Sequence, residues 1–476
     1  MRRIIFVWIC LCCTSALLGQ MPKAKKQMLS QIDDNAAAYE DIARQIWNHA
    51  EVGYQEENSS ALLQAALKEA GFSIETGVAG IPTGFIASYG SGEPVIGILA
   101  EFDALPGLSQ DTSAVRSPIE GKVSGHACGH HLFGAASVGA AITVKNWLAQ
   151  SGTKGTLRLY GTPAEEGGAG KVYMVREGLF DDVDAVLHWH PDDQNNASPR
   201  VSLANKSAKF RFYGVSAHAS AFPHVGRSAL DGVEAMNYMV NMMREHILPE
   251  SRIHYVITKG GDAPNIVPEF AEVYYYCRHP DAAIVQANFE RLVKCAEGAA
   301  IGTETRMEYE VIHGLYNLVP NEILSKVVYD NMLLVGGAQY NESELAYATE
   351  LRKTLGEDLP PMSDAHDIQA FGFLKGGGST DVGDISWVVP TAGPRVATWV
   401  PGVPSHSWQA VSSGGRSIGV KGMLVASKTI ALSAYDLFMN GEIITQGKKE
   451  LKERVGDDFQ YEALLGDRPP ALDYRR

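Results

Sequence analysis

The chain has 476 residues, 45% of them hydrophobic and 20% charged, with 48 glycines and a formal net charge of −14. That length exceeds one ordinary core and points to two or more domains. The acidic balance and the lack of any basic run argue against a nucleic-acid partner.

Residues 1–20 read MRRIIFVWICLCCTSALLGQ: two arginines, an apolar run from Ile4 to about Leu18, then small residues. This is the pattern of an export signal, with cleavage expected near Gly19 or Gln20. It predicts an exported protein, periplasmic or extracellular, with no membrane partner beyond the signal itself. Three of the six cysteines lie in the leader; Cys128, Cys277 and Cys295 remain. An odd number in a large chain is not a disulfide framework.

From Gln20 the chain reads as polar and helical, and residues 33–70 as two helices ending on a Gly stop. Strands follow at 84–90 and 94–105, the second nearly continuous in apolar residues, as a strand buried on both faces is. A helix over 132–150 carries small residues on its packing face. Then come a strand at 155–163, a helix at 172–180 and a strand at 184–190. This alternation predicts an α/β sheet covered on both faces. From about 204 the texture changes. Alternating strands are expected from 204, at 252–261, 271–280 and 303–314, and helices at 228–247 and 282–300. These make an inserted α+β unit of two helices on one sheet, after which α/β texture resumes.

The polar residues of interest follow the buried strands. Glu101 and Asp103 end one strand, Glu165 and Glu166 follow another, His190 ends a third, and His406 follows PRVATWV. Ligands of open α/β sheets bind outside the carboxyl ends of their strands. The stretch GHACGHH, residues 125–131, adds His126, Cys128, His130 and His131. Thiolate and imidazole suit a borderline-soft transition ion, and carboxylates complete its shell. These donors suffice for two ions close together, which clamp a water and a substrate oxygen. Adjacent residues off a strand point different ways, so one of Glu165 and Glu166 can bind metal while the other serves as general base. His188 and His190 fall on the same face of the expected strand; His190, at the strand end before Pro191, is favoured as the ligand. Asp381 and Asp384, in a Gly-rich loop, read as turn residues or as the pocket floor.

The motifs GHACGH, TPAEEGG, DAVLHWHP, GVSAHAS, PNIVP, GGGSTDVGDISW and PSHSWQ stand in this order. In that set the chain resembles the M20 family of metallo-amidohydrolases over nearly the whole mature sequence. The resemblance implies an α/β catalytic domain (21–203 and 315–476) with a mixed sheet flanked by helices, interrupted by a ferredoxin-like α+β dimerisation or lid domain (204–314). It implies two divalent transition-metal ions, Mn or Zn, held by Cys128, His130, Glu166, His190 and His406. Glu165 would be the general base, and Asp103 would orient a ligand imidazole. His218 would reach across a homodimer to the substrate carbonyl. Asn265 and Arg278 would hold the substrate, a guanidinium pairing well with a carboxylate. Where the subgroup often shows Asp or Asn after CGH, this chain has His131. The expected activity is hydrolysis of an amide in a small carboxylate-bearing substrate: an N-acyl or aminobenzoyl amino acid, or an amino-acid conjugate. Rival readings are an exported dipeptidase, a non-catalytic partner subunit, and a metal-binding protein without turnover.

Overall fold

The computed structural model describes residues 21–475, so the expected export signal lies outside the described residues. The chain opens with three helices, Lys23–Asp34, Ala36–His49 and Glu57–Glu69. Asn35 breaks the first from the second, and Ala50 ends the second in a left-handed conformation.

The main sheet has six strands, in the order Ser73–Thr76, Phe85–Ser91, Gly155–Gly161, Val95–Ala100, Ala185–Leu187 and Thr391–Ala392. The first two pairings are antiparallel and the other three parallel, so the sheet is mixed. Every residue of Val95–Ala100 is buried, which explains its unbroken apolar run. That strand stops at Ala100, earlier than its sequence suggests, and Glu101–Asp103 leave the sheet edge as loop.

The helix His130–Ser151 lies against this strand, and the Ser137 hydroxyl donates to Leu99 O at 2.7 Å. It is apolar on every side and long enough to cross a membrane, but it is enclosed by the core. Its glycines are packing devices. A Cβ at Gly139 would come within 2.8 Å of Ser427 Oγ and 3.0 Å of the Tyr39 ring.

The segment DAVLHWH is not one strand. Pairing stops at Leu187 and resumes at His190–Asp192 beside a different partner, Arg395–Ala397. His188 and His190 therefore do not share a strand face. The interruption follows from Trp189, fully buried with its indole N–H on Phe133 O at 3.2 Å.

The inserted unit is a four-stranded antiparallel sheet, ordered Arg252–Lys259, Phe270–His279, Ala204–Tyr213, Arg306–Leu315. The helices Ala229–Met243 and Ala282–Thr303 pack on one face over a separate core that includes Phe210, Phe212, Val233, Tyr275 and Phe289.

Gly139→Leu should cost at least about 1–3 kcal/mol, the usual penalty for overpacking a filled core. Urea unfolding should show a lowered midpoint at unchanged slope; an unchanged midpoint would mean the helix contact is looser than these distances.

Candidate active site

The site is built at the carboxyl edge of the main sheet. Cys128 and His130 come from the loop leading into the helix His130–Ser151, where Gly129 takes φ +74 and packs against Pro191 and Trp399. Glu165 and Glu166 follow the strand Gly155–Gly161, His190 begins the short strand after Trp189, and His406 lies in the loop before the helix Trp408–Gly414. Three non-glycine residues here hold left-handed backbone: Ala164 and Ala169, which flank the glutamate doublet, and His406 itself. Such strain persists only where surroundings enforce it, and it clusters at functional sites. The enforcing bonds are visible. Glu56 accepts from Ala164 N at 2.9 Å, and His406 N donates to Ala127 O at 2.9 Å.

Asp103 joins two of these loops. One carboxylate oxygen accepts from His130 Nδ1 at 2.8 Å and the other from Glu166 N at 2.9 Å. Burial alone would raise its carboxyl, but the His130 ring and the Glu166 amide outweigh it and hold it low. With Nδ1–H given to Asp103, the Nε2 lone pair of His130 faces the site. His190 is fixed the same way, its Nδ1–H on Pro191 O at 2.6 Å and its Nε2 3.4 Å from Cys128 Sγ. This is how metal-ligating histidines are usually oriented.

The donor atoms converge in three overlapping groups: Cys128, His130 and His190; Cys128, Glu166 and His406; and His130, Glu165 and Glu166. Their contacts are those of atoms aimed at a common point. His130 Nε2 lies 3.1 Å from Glu101 Oε2, and His406 Nε2 lies 3.0 Å from Glu166 Oε1. Yet His130 Nε2, Glu101 Oε2 and Glu166 Oε1 are buried without hydrogen-bond geometry to any partner among the described residues. The field favours positive charge there. Burial would lower His130, but Cys128, Glu101 and Asp103 reverse it and drive it well up. His406 is raised to about 10 by the Cys128 thiol and the Glu166 carboxylate that face its ring. Thiolate, imidazole and carboxylate at these positions fit two divalent transition ions. The Glu165 carboxylate makes no hydrogen bond or ion pair among the described residues, and burial together with the charges of Glu101 and Glu166 raises it well above the usual range.

Beneath the site lies a residue that sequence reasoning missed. Lys171 is fully buried, its Nζ 2.8 Å from Glu101 and 2.7 Å from Asp381, while its backbone N–H also meets Asp381 at 3.0 Å. Asp381 is therefore the counter-ion of a buried lysine. Asp384 is buried too, accepting from Tyr461 OH at 2.7 Å and Tyr316 N at 3.0 Å, with its carboxyl pushed up to about 8 by burial. In sequence, Lys171 is one lysine between a Gly-rich run and an apolar helix, and lysines are almost always exposed. Glu56 was equally invisible.

The two remaining histidines of GHACGHH point away. His126 Nε2 bonds Ile46 O at 3.0 Å, His131 Nε2 bonds Gly414 O at 3.1 Å, and the two rings pack at a 48° tilt with centroids 4.9 Å apart. Burial keeps both neutral, His131 at about 3. One step along a helix turns the side chain by about 100°, which sends His131 into the core while His130 faces the site.

A cavity of about 740 Å³ runs from the donor cluster to the base of the inserted unit, where Arg278 and His313 line it. His218 and Asn265 do not line it. They sit together on the exposed end of the inserted unit, where Ala219 N donates to Asn265 O at 3.0 Å and the His218 Nδ1 accepts from Ala221 N at 3.2 Å.

Residues 204–304 match the family described as peptidase dimerisation domain. Over 458 residues the chain is 41% identical to the B subunit of p-aminobenzoyl-glutamate hydrolase from Escherichia coli (strain K12), covering 90% of this chain and 95% of that one. The chain belongs to the M20 family of amidohydrolases. Xaa-Arg dipeptidase of Mus musculus is 28% identical over 455 residues, 92% of this chain and 95% of that one. A Bacillus subtilis structure described as a dinuclear metal binding peptidase from the M20 family has a TM-score of 0.57 at 18% identity, over 86% of this chain and 99% of that one. That likeness concerns the fold: an M20 catalytic body with the dimerisation unit inserted.

Lys171→Met should destabilise the metal-free M20 enzyme by about 3–5 kcal/mol at neutral pH, because it leaves two buried carboxylates without a cation. Urea unfolding measures it; a loss under about 1 kcal/mol would remove Lys171 from the charge balance.

Proposed function

We propose that this enzyme hydrolyses the amide bond of an N-acyl or aminobenzoyl amino acid, or a related amino-acid conjugate, with two divalent ions, Mn or Zn, held by Cys128, His130, Glu166, His190 and His406. The observation that carries this reading is the unpaired Glu165 carboxylate beside converging thiolate, imidazole and carboxylate donors. A closed storage site has no such free base. When bound, the ions supply Lewis acidity and ease the deprotonation of water.

The chain's own residues do the rest. Glu165 takes the proton of the attacking water and returns it to the leaving amine. Asp103 and Pro191 O hold the His130 and His190 tautomers. Arg278, which no carboxylate pairs among the described residues and which lies over the Tyr276 ring, holds the free carboxylate beside the scissile amide. His218 of the partner subunit and Asn265 complete the site, His218 stabilising the oxyanion. This requires a homodimer. Its support is the edge strand Arg252–Lys259, with Tyr255, Val256 and Ile257 exposed and one side unpaired among the described residues. The Escherichia coli relative carries the name of one of two kinds of chain, A and B, so pairing with a second kind of chain is the alternative. Residues 1–20 carry the further proposal of export to the periplasm or beyond.

Glu165→Gln should keep its metal content, read by elemental analysis, yet lose at least about a hundredfold in turnover on N-acyl amino acids. Substantial residual activity would sink the general-base assignment. Mixing Glu165→Gln with His218→Ala protomers should restore part of the activity that each lacks alone, because one hybrid site is intact. Absence of recovery in verified mixed dimers would make the site self-contained. A screen of N-acyl amino acids, aminobenzoyl amino acids and dipeptides separates the amidohydrolase from the dipeptidase reading.

A further inference from the structure

One face of the inserted sheet carries the two helices. From its other face Asn205, Tyr276, Arg278 and His313 line the cavity. Successive strand residues point to opposite faces, so Tyr276 and Arg278 share this face while Cys277 between them lies in the helix-covered core. Asn205 stands on the central strand, opposite Arg278 on one neighbouring strand and Leu315 on the other. His313 comes from that second neighbour, two residues before Leu315.

A bulge sets the course of the strand at His313. Ser207 pairs with His313 but Ala208 with Val311, so Ile312 is the extra residue. Such bulges re-aim side chains and recur beside active sites. Arg468 secures this one by donating to Ile312 O at 3.1 Å. Asn205 Nδ2 donates to His313 Nδ1 at 3.4 Å, which leaves the ring proton on Nε2. The His313 ring makes no other hydrogen bond or ion pair among the described residues. Asn205 Oδ1 is buried and meets no donor among them either. An unmet buried acceptor costs stability, so what Asn205 contributes is the hold on the ring. His313 and Arg278 are neighbours across the Tyr276 ring, whose centroid is 5.2 Å from the Arg278 guanidinium carbon and 6.5 Å from the His313 ring centroid. The Tyr276 hydroxyl is itself fixed, accepting from Tyr274 OH at 3.3 Å. Burial, and then the Arg278 charge, push His313 down to about 4, so at neutral pH its ring is uncharged and does not repel the guanidinium.

We propose that His313 is a second donor to the free carboxylate of the substrate, its Nε2–H meeting one oxygen while Arg278 meets the other, and that Asn205 is the positioning residue that fixes the His313 tautomer. This rests on the amidohydrolase reading above, in which Arg278 holds that carboxylate. A guanidinium supplies the charge. A fixed neutral N–H adds direction without a second charge to desolvate. Together they select a carboxylate over a carboxamide, whose amino group would set a donor against a donor. They also hold the carbon beside the scissile amide by two points instead of one.

N-benzoyl-alanine and its carboxamide, N-benzoyl-alaninamide, differ only at that group. Calorimetry on the metal-loaded Glu165→Gln enzyme reads their binding without turnover. The acid should bind at least about tenfold more tightly than the carboxamide. On that background His313→Phe should weaken the acid at least about tenfold and leave the carboxamide within about twofold. His313→Gln, which keeps an N–H, should recover most of the loss, and Asn205→Ala should weaken the acid by a smaller factor. In the otherwise native enzyme His313→Phe should raise KM for the acid and leave kcat within about threefold, a split that general loss of structure does not produce. Urea unfolding checks each variant; if His313→Phe does not fold, His313→Gln and Asn205→Ala carry the comparison. No preference for the acid, an unchanged acid affinity in the variants, or an equal loss for both ligands overturns the assignment. Preference in binding with no hydrolysis of any N-acyl amino acid by the native enzyme sinks the amidohydrolase reading and leaves the two-donor clamp standing.

Discussion

The structure depends on keeping several carboxylates buried in one place. Glu56, Glu101, Asp103, Asp381 and Asp384 are each at most 1% exposed. Such a group is tolerated only if it is paired, hydrogen-bonded or protonated. Each solution is used here. Lys171 neutralises Glu101 and Asp381, His130 and the Glu166 amide hold Asp103 ionised, and Glu56 and Asp384 are pushed up to about 8 by burial. A buried lysine between two carboxylates is not a source of net stability. It makes a dense negative field possible, and that field makes the cluster above it fit for cations.

The same bonds position the chemistry. Asp103 reaches one loop through His130 and another through the amide of Glu166, so the distance between those donors is set by one short side chain. Glu56 holds the peptide just before the doublet, and the left-handed Ala164 and Ala169 bracket it. The doublet is thus fixed at both ends while the Glu165 carboxylate itself stays unbonded among the described residues, as the proposed general base requires.

Sequence revealed the architecture well because its signals are local. The buried strand Val95–Ala100, the small-residue helix and the switch to alternating strands near 204 each follow from hydrophobic period and composition. That Cys, His and Glu side chains converge at the sheet edge was legible because several buried strands end on them, while the choice of ligands among them came from the motif resemblance. Other features were not legible for physical reasons. The break at His188–Trp189 comes from the burial of one indole and the change of strand partner, which no period encodes. Lys171 and Glu56 are ordinary charged residues locally, and their burial is decided by partners up to 210 residues away. His131 looked like part of the donor cluster because spacing along the chain does not distinguish helix faces at a loop-to-helix junction.

The last turn of the chain ties the two units together at the site. Arg468 donates to Ile312 O at 3.1 Å, on the strand that leaves the inserted unit. A few residues on, Tyr474 and Arg475 donate to Glu166 O at 3.1 and 2.8 Å. The backbone of the inserted unit and the backbone of the glutamate doublet are therefore held by one tail. Gly53 records how close that tail lies, since a Cβ there would meet the Tyr474 hydroxyl at 2.2 Å. Carbonyls at the end of a loop need donors, and here the donors come from a segment that also sets where the inserted unit leaves the body. The distance between the donor cluster and Arg278, at the base of that unit, is thereby fixed by covalent chain as well as by packing. The two ends of the cavity, the donor cluster and Arg278, therefore share a single mechanical frame.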